Sequence, residues 1–240
     1  MNKLVVNTDR FIATSPFVKE IYSDFFRTEN IVVIPNIAVI PDFVQLDRNG
    51  LQNQSVDRFQ LPRKFILFVG TLTPYKGVNV LLKAFNQLKK ENQSFDDVSL
   101  IIMGMDHPDY SYRDFRNVTI VRSAARHKIL KAYSKCEFVI VPSVWPEPFG
   151  LVALEAMGHR KAVVASNIGG LKDIVVNHKT GILVKPNDVR ALTDAITYLL
   201  RNNEAYLKMG EEGYRRYIDL FNDNVPHIEK LYDEVIETTS

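Results

Sequence analysis

The sequence predicts an α/β protein in which a parallel β-sheet is covered by helices on both faces and is preceded by a short βα unit. Two observations support this fold class. Short apolar runs such as 64–70, which suit strands buried in a parallel sheet, alternate with segments of helical periodicity such as 78–90. Several of the apolar runs also end in Gly, Pro or Ser, and ligands bind beyond the carboxyl ends of strands in such sheets.

This alternation extends over most of the chain, from Lys64 onward. Strands are predicted at 64–70, 98–104, 117–121, 138–143, 161–166 and 180–184. Helices are predicted at 78–90, 126–136, 149–157, 170–176, 189–202, 203–220 and 224–238. Strands separated by helices of this length indicate βαβ units and therefore a parallel sheet.

The first residues of the chain have a different character. A strand is predicted at 11–15, a helix with proline in its first turn at 16–26, and a second strand at 31–36. A polar stretch without periodicity follows, and we interpret it as a surface loop or linker. The predicted regions are a leading βα unit at 1–44, the linker at 45–63 and the main domain at 64–240.

Charge and cysteine content exclude several classes of protein. The net charge of +2, from 30 basic and 28 acidic residues, is too small for a general nucleic-acid binder. The single cysteine, Cys136, permits no disulfide within the chain, and its apolar neighbours favour a buried packing role over a nucleophile. No apolar run approaches the roughly 20 residues of a transmembrane helix, and the first residues do not form a secretory signal. We therefore expect a cytoplasmic protein, for which peripheral contact with a membrane stays open.

The segment 142–157 (PSVWPEPFGLVALEAM) is the first candidate for chemistry. Pro148 suits the first position of a helix, which makes Glu147 the predicted N-cap. A helix start with free amides is an anion-binding site, and a glycine there lets a ligand approach the backbone closely. The amides predicted to bind the anion are those of Phe149, Gly150 and Leu151.

Glu155 lies about two turns beyond Glu147. A carboxylate there can accept two hydrogen bonds from a ribose diol if this face of the helix looks at the ligand. The neighbours of Glu155 are mostly apolar, and a charged residue in such surroundings needs a partner, which favours a functional role. The alternative interpretation is an N-cap glutamate and a helix glutamate that both face solvent.

Two further loops follow predicted strands. In 70–77 (GTLTPYKG), Lys76 lies just before a helix, where its ammonium group can bind a phosphate together with the helix dipole. A solvated lysine in a turn is the alternative. In 166–170 (SNIGG), Gly169 and Gly170 either allow a ligand to approach the backbone or form a simple tight turn.

Metal and nucleophile sites are not predicted. The five histidines are scattered without a metal-ligand spacing, and no GxSxG motif is present. His159 follows a predicted helix, where a capping role is the default. Trp145 either stacks on a base or a sugar or packs against its own loop.

These motifs resemble a known family. The segment 142–157, with two glutamates separated by seven residues and Pro, Phe and Gly between them, resembles the signature of the retaining glycosyltransferase family 4, which has the two-domain GT-B architecture. The segments 66–85 and 163–196 resemble its donor domain, and 11–36 resembles the end of its acceptor domain. The resemblance implies a Rossmann-like, nucleotide-sugar-binding domain, which is one half of a GT-B fold, preceded by the last part of the other half.

The resemblance also implies roles for individual residues. Lys76 would hold the donor diphosphate, Glu147 would contact the donor sugar hydroxyls, and Glu155 would bind the ribose hydroxyls. The implied reaction transfers a hexose from a nucleoside diphosphate sugar to an acceptor hydroxyl with retention. No metal or other cofactor is implied, because Lys76 and helix N-termini stabilise the leaving diphosphate. The other implied donor-binding positions are Gly70, Thr71, Phe149, Gly150, Leu151, Gly169 and Gly170.

The sequence departs from the family pattern at several places. Thr71 stands where many members have arginine, so the phosphate clamp lacks one cation unless Arg122, Arg126 or another chain supplies it. The run after the signature, 158–164 (GHRKAVV), has Arg160 and Ala162 at unusual places, which is expected to alter a turn and not the chemistry. Asp173 replaces a frequent glutamate. Only the last βα unit of the acceptor domain is present, which leaves open whether this chain turns over alone. The alternative function is a non-catalytic nucleotide-sugar-binding subunit that pairs with a separate acceptor-domain chain or with a second copy of itself.

Overall fold

Strands and helices alternate in the computed structural model, which describes residues 10–36, 60–105 and 115–239. The strands are β1 (Phe11–Ala13), β2 (Ile31–Val33), β3 (Phe65–Val69), β4 (Ser99–Gly104), β5 (Val118–Arg122), β6 (Val139–Val141), β7 (Val163–Ser166) and β8 (Gly181–Val184). The helices are α1 (Pro16–Tyr22), α2 (Val78–Glu91), α3 (Arg126–Lys135), α4 (Leu151–Gly158), α5 (Leu171–Ile174), α6 (Val189–Arg201) and α7 (Asn203–Thr239). The strands and helices predicted between 64 and 202 are all confirmed, with ends that differ by at most two residues.

Six of the strands form one parallel sheet in the order β5-β4-β3-β6-β7-β8. Strands that are buried on both faces are apolar throughout, which explains why β3 reads as a continuous apolar run. From β3 the chain adds β4 and β5 on one side, and it then returns to place β6 on the other side, where Leu67 pairs with Val139. β3 and β6 therefore flank the topological switch point, where a crevice opens beyond the strand ends.

Helices cover both faces of this sheet, as predicted. On one face α2 and α6 pack through residues such as Leu81 and Leu199, which are fully buried. On the other face α3 and α4 pack through residues such as Tyr133 and Leu154. In the described residues, β3 and β6 are each followed at the carboxyl end by an irregular connection before the next α-helix, and a short 3-10 helix (Pro74–Lys76) lies in the first of these.

The leading unit (residues 10–36) forms its own small sheet, in which β1 and β2 pair in parallel. Ser15 is the N-cap of α1 and Pro16 lies in its first turn, where a missing N–H leaves no hydrogen bond unmade. The leading unit also contacts the main domain, since the Asn224 side chain of α7 donates a hydrogen bond to the Pro35 carbonyl oxygen at 2.8 Å. The strand–helix–strand order predicted for this region is confirmed.

Two helix ends differ from the prediction. The helix predicted from residue 149 begins at Leu151, because Gly150 has a φ of +109°, which is incompatible with a helix. Pro148 is therefore not at the first helical position, and Glu147 is not the N-cap. The helix predicted over 16–26 ends at Tyr22.

The two helices predicted at 203–220 and 224–238 are a single helix, α7, of 37 residues. Pro226 lies inside it. A proline removes one hydrogen bond from a helix, but contacts on both sides can hold the helix together, and the bond from Asn224 to the leading unit is one of them. Among the helices that the structure describes, none is long and apolar enough to cross a membrane.

The predicted boundary between the leading unit and the linker lies outside the described residues. The same holds for the linker itself between 45 and 59. The last linker residues, 60–63, form neither strand nor helix, which agrees with a connecting segment.

Gly77 joins the turn after β3 to α2, and its conformation is required by packing. Its φ is +74°, and a Cβ at this position would lie 1.8 Å from the Pro142 carbonyl oxygen. We expect Gly77→Ala to lower the free energy of unfolding by about 2–4 kcal/mol, because backbone strain and a clash with the main chain add together. Urea denaturation measures the loss. Asn79→Ala, at an exposed position of the same helix, is the control, and a loss no larger than the control's would contradict this contact.

Candidate functional site

Two loops meet beyond the sheet at the switch point. The β3–α2 loop (residues 70–77) carries Lys76, and the β6–α4 loop (residues 142–150) carries Glu147. The loops are joined through their main chains, since the Tyr75 carbonyl oxygen accepts a hydrogen bond from the Val144 N–H at 2.9 Å. Residues that are 71 positions apart in the sequence are thereby brought together because β3 and β6 are neighbours in the sheet.

Lys76 and Glu147 form an ion pair at this junction. The Lys76 Nζ lies 2.7 Å from Glu147 Oε1 and 2.9 Å from Oε2. The buried Ser143 hydroxyl donates a third hydrogen bond, at 2.5 Å, to Glu147 Oε1. The Glu147 side chain is 14% exposed and that of Lys76 is 36% exposed. The carboxylate is therefore held in one orientation, while the ammonium group stays open to solvent and to an anion.

A cavity of about 270 Å³ opens beside this ion pair. The cavity lies between the leading unit, the end of β6 and the start of α4. It is thus bordered by both parts of the described chain. The lining residues are Asn36, Lys76, Val141, Glu147, Pro148, Phe149, Gly150, Leu151 and Val152.

The start of α4 lies at this cavity. The N–H groups of Leu151 and Val152 lie in the first turn, which has no preceding carbonyls to accept them, and both residues line the cavity. The next N–H, of Ala153, already bonds to the Gly150 carbonyl oxygen at 2.9 Å. The Phe149 side chain is 4% exposed and packs in the core, so this residue offers the cavity mainly its backbone. The helix start at which anion binding is predicted therefore lies at Leu151, two residues further along than expected.

Gly169 and Gly170 lie beneath the β6–α4 loop and do not line the cavity. The Gly170 N–H donates to the Glu147 carbonyl oxygen at 2.6 Å. A Cβ on Gly169 would lie 2.6 Å from the Glu147 backbone, and a Cβ on Gly170 would lie 2.6 Å from the Pro148 carbonyl oxygen. Glycine is therefore needed at both positions because the loop backbone approaches them closely. The two residues hold this loop in place.

Glu155 lies on α4, one turn beyond the residues that line the cavity, and it does not contact Glu147. Arg126 lies 2.8 Å from Glu155 Oε1, and the Tyr133 hydroxyl donates to Oε2 at 3.0 Å. The Glu155 side chain is 16% exposed, so this carboxylate is neither a solvated surface group nor an isolated buried charge. Helix α3 therefore supplies the partners that Glu155 requires in its apolar environment.

The other predicted positions lie near the junction. Gly70 and Thr71 follow β3 directly, and the Thr73 N–H bonds to the Thr71 carbonyl oxygen at 2.8 Å, which forms the turn before Lys76. Trp145 is 64% exposed and meets the Tyr75 ring edge to face at 6.0 Å, so its partner is the neighbouring loop.

Sequence reasoning missed three residues of this region. Ser143 was not singled out, although a serine that ends a buried strand four residues before a glutamate is a usable signal. Asn36 and Tyr133 gave no local signal, because their contacts come from other parts of the fold. Among the described residues, no group of three His, Cys, Asp or Glu side chains converges as a metal-ligand set.

With this geometry established, comparison with known proteins assigns the family. The family model described as glycosyl transferases group 1 matches residues 52–216, which is more than half of the chain. The chain belongs to this family. The Lys76–Glu147 pair, the start of α4 and Glu155 all lie within the matched residues.

Relatives in this family are longer than the chain. It is 27% identical over 240 residues to an uncharacterized glycosyltransferase of Methanocaldococcus jannaschii, with 95% of this chain and 60% of the relative covered. Sucrose-phosphate synthase from Thermosynechococcus elongatus superposes with a TM-score of 0.79 at 25% identity, covering 98% of this chain and 60% of the other. HepE from Anabaena, solved with UDP and glucose, has the same fold at a TM-score of 0.74 and 21% identity, with 96% and 65% covered. The chain therefore corresponds to one half of a GT-B fold.

The groups around Glu155 have unusual titration behaviour. Burial, together with the Glu155 carboxylate, raises the pKa of Tyr133 well above its ordinary value, so the hydroxyl keeps its proton and donates to Glu155. The His159 ring stacks on Tyr133 at 5.2 Å, and burial lowers the pKa of His159 to about 4. Burial also raises the pKa of the Cys136 thiol to about 12, which agrees with the inert packing role predicted for it.

His159 makes the stability of the folded chain depend on pH. The ordinary histidine pKa is near 6.5, so between pH 6.5 and about 4 the unfolded chain binds a proton that the folded chain excludes. The part of the free energy of unfolding that depends on a neutral His159 is fully present above pH 6.5 and is lost as the pH falls towards 4. We expect His159→Phe, which keeps the aromatic stack, to lose less stability between pH 7 and pH 5 than the wild type.

Urea denaturation at the two pH values measures this difference. His127→Gln, at an exposed position of α3, is the control and is expected to follow the wild type. Identical pH profiles for His159→Phe and the wild type would show that His159 is not kept neutral by the fold.

Proposed function

We propose that this chain is the donor-binding half of a retaining glycosyltransferase of family 4, which binds a nucleoside diphosphate sugar and transfers a hexose to an acceptor hydroxyl. The observation that carries the proposal is the Lys76–Glu147 pair at the switch point, beside the start of α4. A cation and the backbone amides of a helix start suit the phosphates of such a donor, which carry the leaving-group charge, and a carboxylate at the same cavity suits its hydroxyls.

The diphosphate is assigned to Lys76 and to the start of α4. The amides of Leu151 and Val152 supply hydrogen-bond donors and the positive end of the helix dipole, and Lys76 supplies a full charge. Thr71, which replaces the arginine frequent in the family, adds only a hydroxyl. Lys76 and Arg126 are each paired with a glutamate, but of these two cations only Lys76 lines the cavity, so the clamp relies on Lys76 and on backbone amides.

Glu147 and Glu155 are assigned to hydroxyl groups of the donor. Glu147 faces the cavity with its carboxylate oriented by Ser143 and would accept hydrogen bonds from the sugar. Glu155 would accept them from the ribose diol, because Arg126 and Tyr133 each contact a different oxygen and leave acceptor capacity on both. The two glutamates thus serve different parts of one ligand.

In the proposed reaction the bond between the anomeric carbon and the diphosphate oxygen breaks, and a bond to the acceptor oxygen forms with the same configuration. The acceptor proton leaves with the departing diphosphate. Charge accumulates on that diphosphate in the transition state, and groups held before the reaction starts stabilise it most effectively. Lys76 and the α4 amides meet this requirement without a metal ion. The UDP and glucose bound by HepE, which shares the fold, are consistent with a donor of this class.

The acceptor side is proposed to come from the other half of a GT-B fold. An apolar surface on the leading unit favours this view, because its exposed side chains include Ile12, Ile21, Tyr22 and Phe25, each 46–54% exposed. The second candidate function, a nucleotide-sugar-binding subunit that pairs with a separate chain, rests on the same surface. We propose a cytoplasmic location, with which the single buried cysteine agrees.

The donor site is tested by binding. Isothermal titration with UDP, GDP and ADP identifies the base, and the fluorescence of Trp145, the only tryptophan in the chain, reports on the β6–α4 loop. We expect Glu155→Ala to weaken binding of the preferred nucleotide by about 10- to 100-fold, because two hydrogen bonds to a charged group are lost. We expect Glu147→Gln to weaken binding of the corresponding nucleotide sugar while that of the nucleotide alone is kept.

Glu211→Ala is the matched control. Glu211 lies on α7 and is also a paired glutamate, with Arg160 as its partner. Its nucleotide affinity should equal that of the wild type. If none of the three diphosphates binds, or if Glu155→Ala binds as tightly as the control, the proposed donor site is wrong.

The apolar surface gives a separate prediction. If the surface pairs two copies of this chain, light scattering should detect a dimer, and the double variant Ile21→Ser, Phe25→Ser should be monomeric with unchanged nucleotide affinity. The control is Tyr198→Ser, an equally exposed position on α6. The wild type could be monomeric, bind the donor and release no diphosphate; this result supports pairing with a different acceptor-binding half. Turnover by the monomer contradicts pairing with a second copy and pairing with a different chain.

A further inference from the structure

The leading unit contacts the β6–α4 loop through one buried hydroxyl group. The Ser15 side chain is 1% exposed, and its Oγ donates a hydrogen bond to the Pro148 carbonyl oxygen at 2.5 Å. The Ser15 Oγ in turn accepts a hydrogen bond from the Val18 N–H at 3.2 Å, which caps α1. A single serine therefore joins the start of α1 to a loop residue that is 133 positions away in the sequence.

The main domain also holds this loop. The Gly170 N–H bonds to the Glu147 carbonyl oxygen, and neither Gly169 nor Gly170 leaves room for a side chain beneath the loop. Successive peptide carbonyls of the loop are thus bound by different parts of the chain: that of Glu147 by the main domain and that of Pro148 by the leading unit. The residue between these two bonds is Pro148, which directly follows Glu147.

A second contact supports the position of Ser15. The Asp173 Oδ2 accepts a hydrogen bond from the Phe17 N–H at 3.2 Å, at the start of α1. The backbone carbonyls of Asp173 and Ile174 are in turn bound by the Arg216 side chain of α7, at 2.5 and 2.7 Å. The start of α1 is therefore held on α5, and the Ser15 hydroxyl reaches the loop from a supported position.

We infer that Ser15 is a positioning residue for the donor site, a role that rests on the function proposed above. Its hydroxyl holds Pro148, and Pro148 lies between Glu147 and the residues that begin α4. Without the hydroxyl, the Pro148 carbonyl loses its donor and the loop is held from the main-domain side alone. Glu147 and the amides of Leu151 and Val152 then no longer keep a common geometry. The leading unit thereby influences donor binding, although Ser15 itself does not contact the donor.

The test compares Ser15→Ala with Ser15→Thr, which keeps the hydroxyl. Lys19→Met is the matched control, because Lys19 donates to the Ile31 carbonyl oxygen inside the leading unit and does not contact the loop. Two quantities are measured for each variant: the exchange rate of the Gly170 amide proton by NMR, and the affinities for UDP and UDP-glucose by calorimetry. The amide proton reports on the loop even if no nucleotide binds.

We expect Ser15→Ala to accelerate exchange of the Gly170 amide and to weaken UDP-glucose binding by about 5- to 10-fold, the effect of one lost hydrogen bond. UDP binding should weaken less, because it does not use Glu147. Ser15→Thr should restore both quantities, and Lys19→Met should change neither.

Each contrary result has a distinct meaning. Unchanged exchange in Ser15→Ala overturns the inference, as does equal loss in Ser15→Ala and Lys19→Met, which would indicate only a less stable leading unit. Faster exchange with unchanged UDP-glucose affinity also overturns it, because the loop would then not set the geometry of the donor site. Absence of nucleotide binding by the wild type overturns the proposed function, and the exchange rates still show whether Ser15 positions the loop.

Discussion

The pairing of β3 with β6 is the constraint on which the site depends. These strands are distant in sequence, and the chain builds two strands on one side of β3 before it returns to the other. Because the strands are parallel and adjacent, the loops that follow them emerge side by side. Lys76 and Glu147 meet for that reason, and the main-chain bond from Val144 to Tyr75 keeps the two loops at one distance.

Around this junction each functional group is oriented by a neighbour that has no contact with the cavity. The Glu147 carboxylate is held by Ser143, and its backbone is held by Gly170. Glu155 is held by Arg126 and Tyr133 on the adjacent helix. Pre-oriented groups lose little entropy when a ligand binds, so this arrangement suits recognition of a polar, highly charged donor.

Much of the fold could be predicted because apolar periodicity is a local property. β3 and α2 were located to within one residue by runs that only a buried strand or an amphipathic helix would have. One failure has a local cause as well: Pro148 suggested a helix start, but the conformation of Gly150 moved that start to Leu151. The other involves tertiary structure, since Pro226 lies within one continuous helix whose Asn224, just before the proline, bonds to the leading unit.

The sequence by itself determined the fold class, the family resemblance and the residue types of the site, because strand runs, glycines and the spaced glutamates are read along the chain. Only the tertiary structure decided which of those residues act together. It paired Lys76 with Glu147, separated Glu147 from Glu155, and turned Gly169 and Gly170 from ligand contacts into supports for a loop. It also connected Ser15 to Pro148. Such contacts join residues far apart in sequence, and strand order, which local patterns do not encode, sets which of them meet.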